Sequence, residues 1–159
     1  MISSENLRQN PYFAQLNTAQ LTCLIDYSQE VTAKAGEFLF HRDDDLGYFY
    51  LVLEGKFEVI FETPKLNVAY ETYRQPSELQ RETVVLSLVK SGEILGWSGL
   101  VKPHKATSCV RAKTDARLMA FDCKKLLACF EQDCRFGFFM IHAAAQVIGK
   151  RLQDIYKGS

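Results

Sequence analysis

Gly92-Glu93-Ile94-Leu95-Gly96-Trp97-Ser98-Gly99-Leu100 is followed by a connection that carries Lys102, Pro103, His104 and Lys105. The chain then returns through Ala106-Thr107-Ser108-Cys109-Val110-Arg111-Ala112. Glycine punctuation at 92, 96 and 99 lets main chain approach a bound group closely. Small and hydroxyl-bearing residues open the return segment. Main-chain N–H groups and a short helical turn in such a frame suit an anion. The chemistry indicated is capture of an anion. Bond-making chemistry finds no support: the chain has no GxSxG, no Walker loop and no zinc-type His/Cys spacing. Glu54 and Glu93 belong to turns and lack a catalytic partner, so the chain reads as a non-enzyme.

The other reactive residues have plainer readings. Cys23, Cys109, Cys123, Cys129 and Cys134 form an odd set without a CxxC pair, as expected of reduced thiols serving as small apolar residues. Asp43-Asp44-Asp45 lacks the spaced oxygens and closing glutamate of a calcium loop and reads as a polar turn. His41, His104 and His142 are the available axial ligands for a haem, but no Cys-x-x-Cys-His attachment motif accompanies them. No metal site is expected, and these residues single out no cofactor.

The elements that must position residues 92–112 follow from periodicity. Residues 5–27 read as helical, with Leu7, Phe13, Leu16, Leu21, Leu24 and Ile25 at helical intervals and Thr18 as the N-cap of a helix from Ala19. From Ser28 the period falls to two. Val31 begins a strand, Ala35-Gly36-Glu37 is a turn, and Phe38–Phe40 is a short strand. Tyr48–Leu53 and Phe57–Phe61 flank Glu54-Gly55, a hairpin signal. Residues 63–81, with Pro64, Asn67, Pro76 and Ser77, read as a long loop or irregular hairpin in which Tyr70 and Tyr73 could cover a pocket. Thr83–Val89, Thr107–Lys113 and Arg117–Phe121 complete about eight strands, the signature of a jelly roll or sandwich. Asp122 caps a helix over 123–130. From about Asp133 to Tyr156, Phe138, Ile141, Ala145, Ile148, Leu152 and Ile155 follow 3-4-3-4-3 spacing, the stripe of a two-helix seam.

The frame at 92–112 resembles the phosphate-binding cassette of the cyclic nucleotide-binding domain, the family of the catabolite activator protein and the regulatory subunits of cyclic nucleotide-dependent kinases. Pro11-Tyr12-Phe13 and the strand–Glu54-Gly55–strand unit are similar to that family too, so the resemblance covers about residues 10–157. It implies a double-stranded β-helix (jelly roll), mainly β with flanking helices, ending in a short helix and a long dimerisation helix. The single domain 1–159 would divide into helices at 5–27, a β-roll at 28–122 and helices at 123–157.

The resemblance also implies a cyclic nucleotide as ligand. In the family a cassette glutamate takes the ribose hydroxyl and an arginine pairs with the cyclic phosphate. Here Trp97 stands at the glutamate position and Ala106 at that of the arginine. The implied ligand residues are Gly96, Trp97, Ser98, Gly99, Leu100, Lys105, Ala106, Thr107 and Ser108, with Lys105 as substitute for the missing charge. Lysine acts as a point charge and cannot reproduce the arginine fork, so cyclic AMP or cyclic GMP recognition is expected to be weak or altered. Two readings of Trp97 remain open. It stacks on a ligand ring in a sensor module, or it fills the pocket of a dimeric interaction module that binds no nucleotide. Relatives that ligate iron–sulfur clusters carry most of those ligands in an N-terminal extension, and no such cluster is expected here.

Charge and hydropathy narrow the partners. Nineteen basic and nineteen acidic residues cancel, leaving no overall field for nucleic acid or an acidic membrane. Activators of the family continue into a helix-turn-helix domain, whereas this chain ends at Ser159, so no DNA contact is expected. No apolar run approaches the roughly 20 residues of a membrane span, and Met1–Asn6 lacks the features of a signal peptide. The expectation is a cytoplasmic homodimer, joined through the C-terminal helix, that senses a phosphorylated ligand.

Overall fold

The computed structural model describes residues 2–64 and 81–157. In chain order the elements are α1 (Ser4–Arg8), α2 (Thr18–Asp26), β1 (Ser28–Ala33), β2 (Phe38–Phe40), β3 (Tyr48–Glu54), β4 (Lys56–Pro64), β5 (Arg81–Lys90) and β6 (Ile94–Leu95). A single 3-10 turn (Trp97–Leu100) follows, then β7 (Cys109–Ala112), β8 (Ala116–Asp122), α3 (Cys123–Gln132) and α4 (Cys134–Lys157). The strands make two antiparallel four-stranded sheets, ordered β1-β8-β3-β6 and β2-β7-β4-β5. This is the expected jelly-roll-like sandwich with flanking helices.

Period-two patterning divides the core into two layers. On β3 and β8, Phe49, Leu51, Met119 and Phe121 face the helices, where Leu21, Leu24, Leu126, Phe136 and Met140 meet them. The alternate residues Val52, Ala116 and Leu118 face the second sheet and pack with Phe57, Val59 and Val110. Ring stacking continues through the helical layer, with Trp97 on Phe49 at 4.6 Å between centroids and Phe49 on Phe121 at 4.9 Å.

Two local expectations are corrected. The N-cap of α2 is Asn17, whose side chain accepts from Gln20 N while the Gln20 side chain accepts from Asn17 N. This reciprocal box satisfies two otherwise free donors, which Thr18 one residue later could not do. Glu54-Gly55 is not a hairpin, because β3 and β4 lie in different sheets. Gly55 turns the chain from one sheet to the other at φ +97°, and a Cβ there would stand 2.6 Å from the Asp115 carbonyl oxygen. The hairpin partner of β4 is β5, registered from Lys56↔Lys90 to Pro64↔Arg81. Pairing therefore reaches both ends of the stretch read as a long loop or irregular hairpin over 63–81, while Tyr70 and Tyr73 lie outside the described residues.

At the C-terminal side, Asp122 caps α3 as expected, accepting from Lys125 N at 3.1 Å. Asp133 separates α3 from α4. One of its oxygens accepts from Phe136 N and the other from the Gln20 amide, at 3.0 Å each. These bonds hold the Asp133 carboxyl below its ordinary pKa, the Gln20 bond most strongly. The start of α4 is thereby tied to α2.

Candidate functional site

The segment 92–112 folds as a turn, the strand β6, a turn of 3-10 helix, a connection that turns again at 101–104, and the strand β7. Gly96 adopts φ +80° ahead of Trp97–Leu100, a conformation glycine takes without strain. Its missing Cβ leaves room for the Tyr48 carbonyl oxygen at 3.2 Å. The connection is braced by the 41–46 turn. Asp43 N donates to Ala106 O and Ala106 N to Asp44 O, both at 2.9 Å, and Leu46 N donates to His104 O at 2.8 Å. The Asp43-Asp44-Asp45 run is thus a structural polar turn.

Between this segment, the second sheet and α4 lies a cavity of about 330 Å³. The sheet contributes Phe40, Val59, Leu86 and Val110, the segment contributes Gly96, Trp97, Ser98, Thr107 and Ser108, and α4 contributes Val147, Ile148, Arg151, Leu152 and Ile155. Three hydroxyls and one guanidinium thus stand in a mostly apolar wall, the usual make-up of a small-molecule site, at the lower end of the common size range of roughly 300–1,000 Å³.

Five of the nine residues expected at the site line the cavity: Gly96, Trp97, Ser98, Thr107 and Ser108. The other four are placed elsewhere. Gly99 and Leu100 are buried within the 3-10 turn, on the side away from the cavity lining, and a Cβ on Gly99 would meet Cys123 Sγ at 2.8 Å. Ala106 is buried and its backbone is held by the 41–46 turn. Lys105 is exposed, its ammonium 2.8 Å from Asp45 Oδ1. That carboxylate raises the Lys105 pKa, and Lys105 lowers that of Asp45.

Trp97 is only 2 % exposed. Its ring packs on Phe49 in the helical layer, so the residue contributes to the cavity wall while the cavity stays open. The indole Nε1 is buried and has no hydrogen-bond partner among the described residues.

Arg151 escaped the reading of the sequence. A cation near the end of a helix ordinarily complements the helix dipole, and the heptad stripe drew attention to its apolar neighbours. The signal available was its spacing: Arg151 follows Val147 by four residues and precedes Ile155 by four, which puts it on the face that covers the cavity. Its Nη2 donates to the Ile94 carbonyl oxygen. Burial lowers its pKa from the ordinary value, offset in part by the charge of Glu93. Two further bonds tie the same turns of α4 to the roll: Lys150 Nζ to Glu93 Oε2 at 3.1 Å and Ser87 Oγ to Asp154 Oδ2 at 3.0 Å.

The outer face of α4 carries the predicted seam. Phe138, Ile141, Ala145, Ile148, Leu152 and Ile155 are all exposed, whereas Phe136, Met140, Ala143, Ala144 and Val147 pack inward. None of the three histidines lines the cavity. His41 stacks on Phe38, His104 Nδ1 lies 2.8 Å from the Gly99 carbonyl oxygen, and His142 stacks on Phe138. Among the described residues no group of three or more His, Cys, Asp or Glu side chains is placed to hold a metal ion.

Residues 30–133 match the family model of the cyclic nucleotide-binding domain, and the chain belongs to that family. Among solved structures it is similar to a protein classed as cyclic nucleotide-binding from Geobacter metallireducens GS-15, with 26% identity and a TM-score of 0.76 over 96% of this chain and 99% of the other. It is also similar to the N-terminal domain of a transcriptional regulator from Streptomyces coelicolor A3(2), at 25% identity and a TM-score of 0.63 over 92% of each chain. The catabolite activator protein of Thermus thermophilus shares the fold at 22% identity and a TM-score of 0.63, over 91% of this chain and 59% of the other. No curated protein matches the chain. None of its described helices is long and apolar enough to cross a membrane.

Proposed function

We propose that the chain is a regulatory, non-enzymatic sensor domain of the cytoplasm, whose cavity beside residues 92–112 takes a small phosphorylated ligand with weak or altered recognition of cyclic AMP and cyclic GMP. The observation that carries this reading is the open cavity of about 330 Å³ at the place where the family cassette resembles this chain. Altered recognition follows from two substitutions at the implied contacts. Ala106 offers no fork for a cyclic phosphate, and Trp97 offers no carboxylate for a ribose hydroxyl. A polar ligand group buried without its partner costs on the order of 1–3 kcal/mol.

The signal would leave through α4. Ile148, Leu152 and Ile155 belong both to the cavity wall and to the exposed seam. A ligand that favours one placement of these residues biases whatever docks on the seam, and a second copy of the chain is the partner proposed here. Contact with nucleic acid or membrane is not part of this reading.

A titration with cyclic AMP and cyclic GMP, followed by Trp97 emission and melting temperature, tests the proposal. A saturable emission change together with a higher melting temperature supports it. If neither signal moves at millimolar nucleotide, the nucleotide reading fails. The exposed stripe on α4 favours a second reading, a dimeric interaction module without a ligand. Leu152→Glu would then convert a dimer into a monomer in sedimentation, with no nucleotide effect in either form.

A further inference from the structure

We infer that Arg151 is the residue through which the cavity takes the anionic group of an organic ligand with an apolar body, so that the anion is met by the C-terminal helix and not by the 92–112 segment. The inference rests on the ligand-sensing reading and specifies the chemistry and polarity of the same cavity.

The basic residues of the segment are otherwise placed. Lys105 is paired with Asp45, and neither Lys102 nor His104 lines the cavity. On α4, Lys150 is paired with Glu93. Arg151 is the one cationic side chain among the described residues lining the cavity, and no carboxylate of the described residues stands within ion-pair distance of it. Its hydrogen bond goes to a neutral backbone carbonyl, that of Ile94. A guanidinium keeps its proton under all ordinary conditions; half-buried beside a neutral acceptor, with Glu93 and Asp154 acting on it only from beyond ion-pair distance, its charge is partly compensated. An anionic oxygen entering the cavity makes charge-assisted bonds roughly twice as strong as neutral ones.

The rest of the wall fixes the ligand's body. Phe40, Val59, Leu86 and Val110 offer only hydrocarbon and aromatic surface, which suits a ring system or short alkyl group. Because Arg151 sits on α4, engaging the anion and fixing the last turns of that helix become one event. Arg151 exchanges Ile94 O for the ligand, while Lys150–Glu93 and Ser87–Asp154 keep the helix over the cavity.

The test uses the full chain and three probes of one shape in calorimetry: naphthalene-2-carboxylate, 2-naphthyl phosphate and the neutral naphthalene-2-carboxamide. The expected result is at least one anion binding about tenfold or more tightly than the amide. Arg151→Met should abolish that preference, so that anions and amide bind alike, and Arg151→Lys should retain part of it. Unchanged melting temperatures would establish that the variants fold. Carboxylate and phosphate arms distinguish the two sources of the anion. Equal binding of anions and amide, or a preference that survives in Arg151→Met, overturns the inference and leaves the ligand-sensing reading standing. So does binding of cyclic nucleotides alone. If no probe and no nucleotide binds, both fall.

Discussion

Replacing Trp97 by phenylalanine and by alanine separates two contributions that the structure assigns to one side chain. The indole is fully enclosed and stacks on Phe49 with an interplanar angle of 15°. Truncation to alanine removes that contact and leaves a hole between the 3-10 turn and the first sheet, a class of change that costs about 3–5 kcal/mol. Phenylalanine retains a ring for Phe49. The void it leaves, the size of about three heavy atoms, costs on the order of 1 kcal/mol at about 24 cal/mol per Å³. Against this, phenylalanine removes a buried N–H that has no acceptor, and relief of such a group returns roughly 1–3 kcal/mol. The two terms offset, so Trp97→Phe is expected within about 1 kcal/mol of the parent chain, and Trp97→Ala at least about 3 kcal/mol below it. Urea unfolding followed by far-ultraviolet circular dichroism measures both without relying on the tryptophan that is removed. A Trp97→Phe cost as large as that of Trp97→Ala would refute the reasoning, since it would mean that the indole N–H is well bonded in solution.

Gly55→Ala should lower the melting temperature by several degrees in a thermal scan, because the new methyl meets the Asp115 carbonyl at 2.6 Å in a left-handed backbone. Gly36→Ala, also left-handed but facing open space, should cost less; equal losses would contradict the crossing geometry. In timed alkylation at pH 8 read by mass spectrometry, exposed Cys134 should label first. Cys23 and Cys123 should label last, because burial pushes both thiols up to about 12 and depletes the thiolate. The depressed Asp133 carboxyl contributes stability that is present above the unfolded value near 3.8 and is lost as pH falls through the lower folded value. Asp133→Asn should therefore be less stable than the parent at neutral pH. The gap should close as pH falls below about 4 in acid unfolding curves.

The roll was legible because its strands alternate and its turns carry glycine and proline. The C-terminal helix was legible because two faces follow one heptad rhythm. What sequence could not supply was the partner of each element. Glu54-Gly55 has the local chemistry of a hairpin, and only tertiary placement against Asp115 and Ala116 shows that it changes sheets. Asn17 and Thr18 are both good caps, and the reciprocal bond with Gln20 decides between them. The site shows the same division. The segment 92–112 was visible from its glycines and hydroxyls, but the charge at the cavity comes from Arg151, some forty residues further along the chain. Local spacing drew attention to Lys105, whose ammonium is engaged by Asp45 across an isolated bridge. A long-range contact of this kind has no period and no motif.

The most direct test of the account is a nuclear magnetic resonance titration of the nitrogen-15-labelled chain with cyclic AMP and, separately, 2-naphthyl phosphate. At least one of them should move the amides of Gly96–Leu100, Thr107 and Ser108 together with those of α4 from Val147 to Ile155, saturably and to a common midpoint. A spectrum unmoved by both, or shifts confined to the outer stripe around Phe138 and Ile141, would contradict a ligand cavity beneath α4.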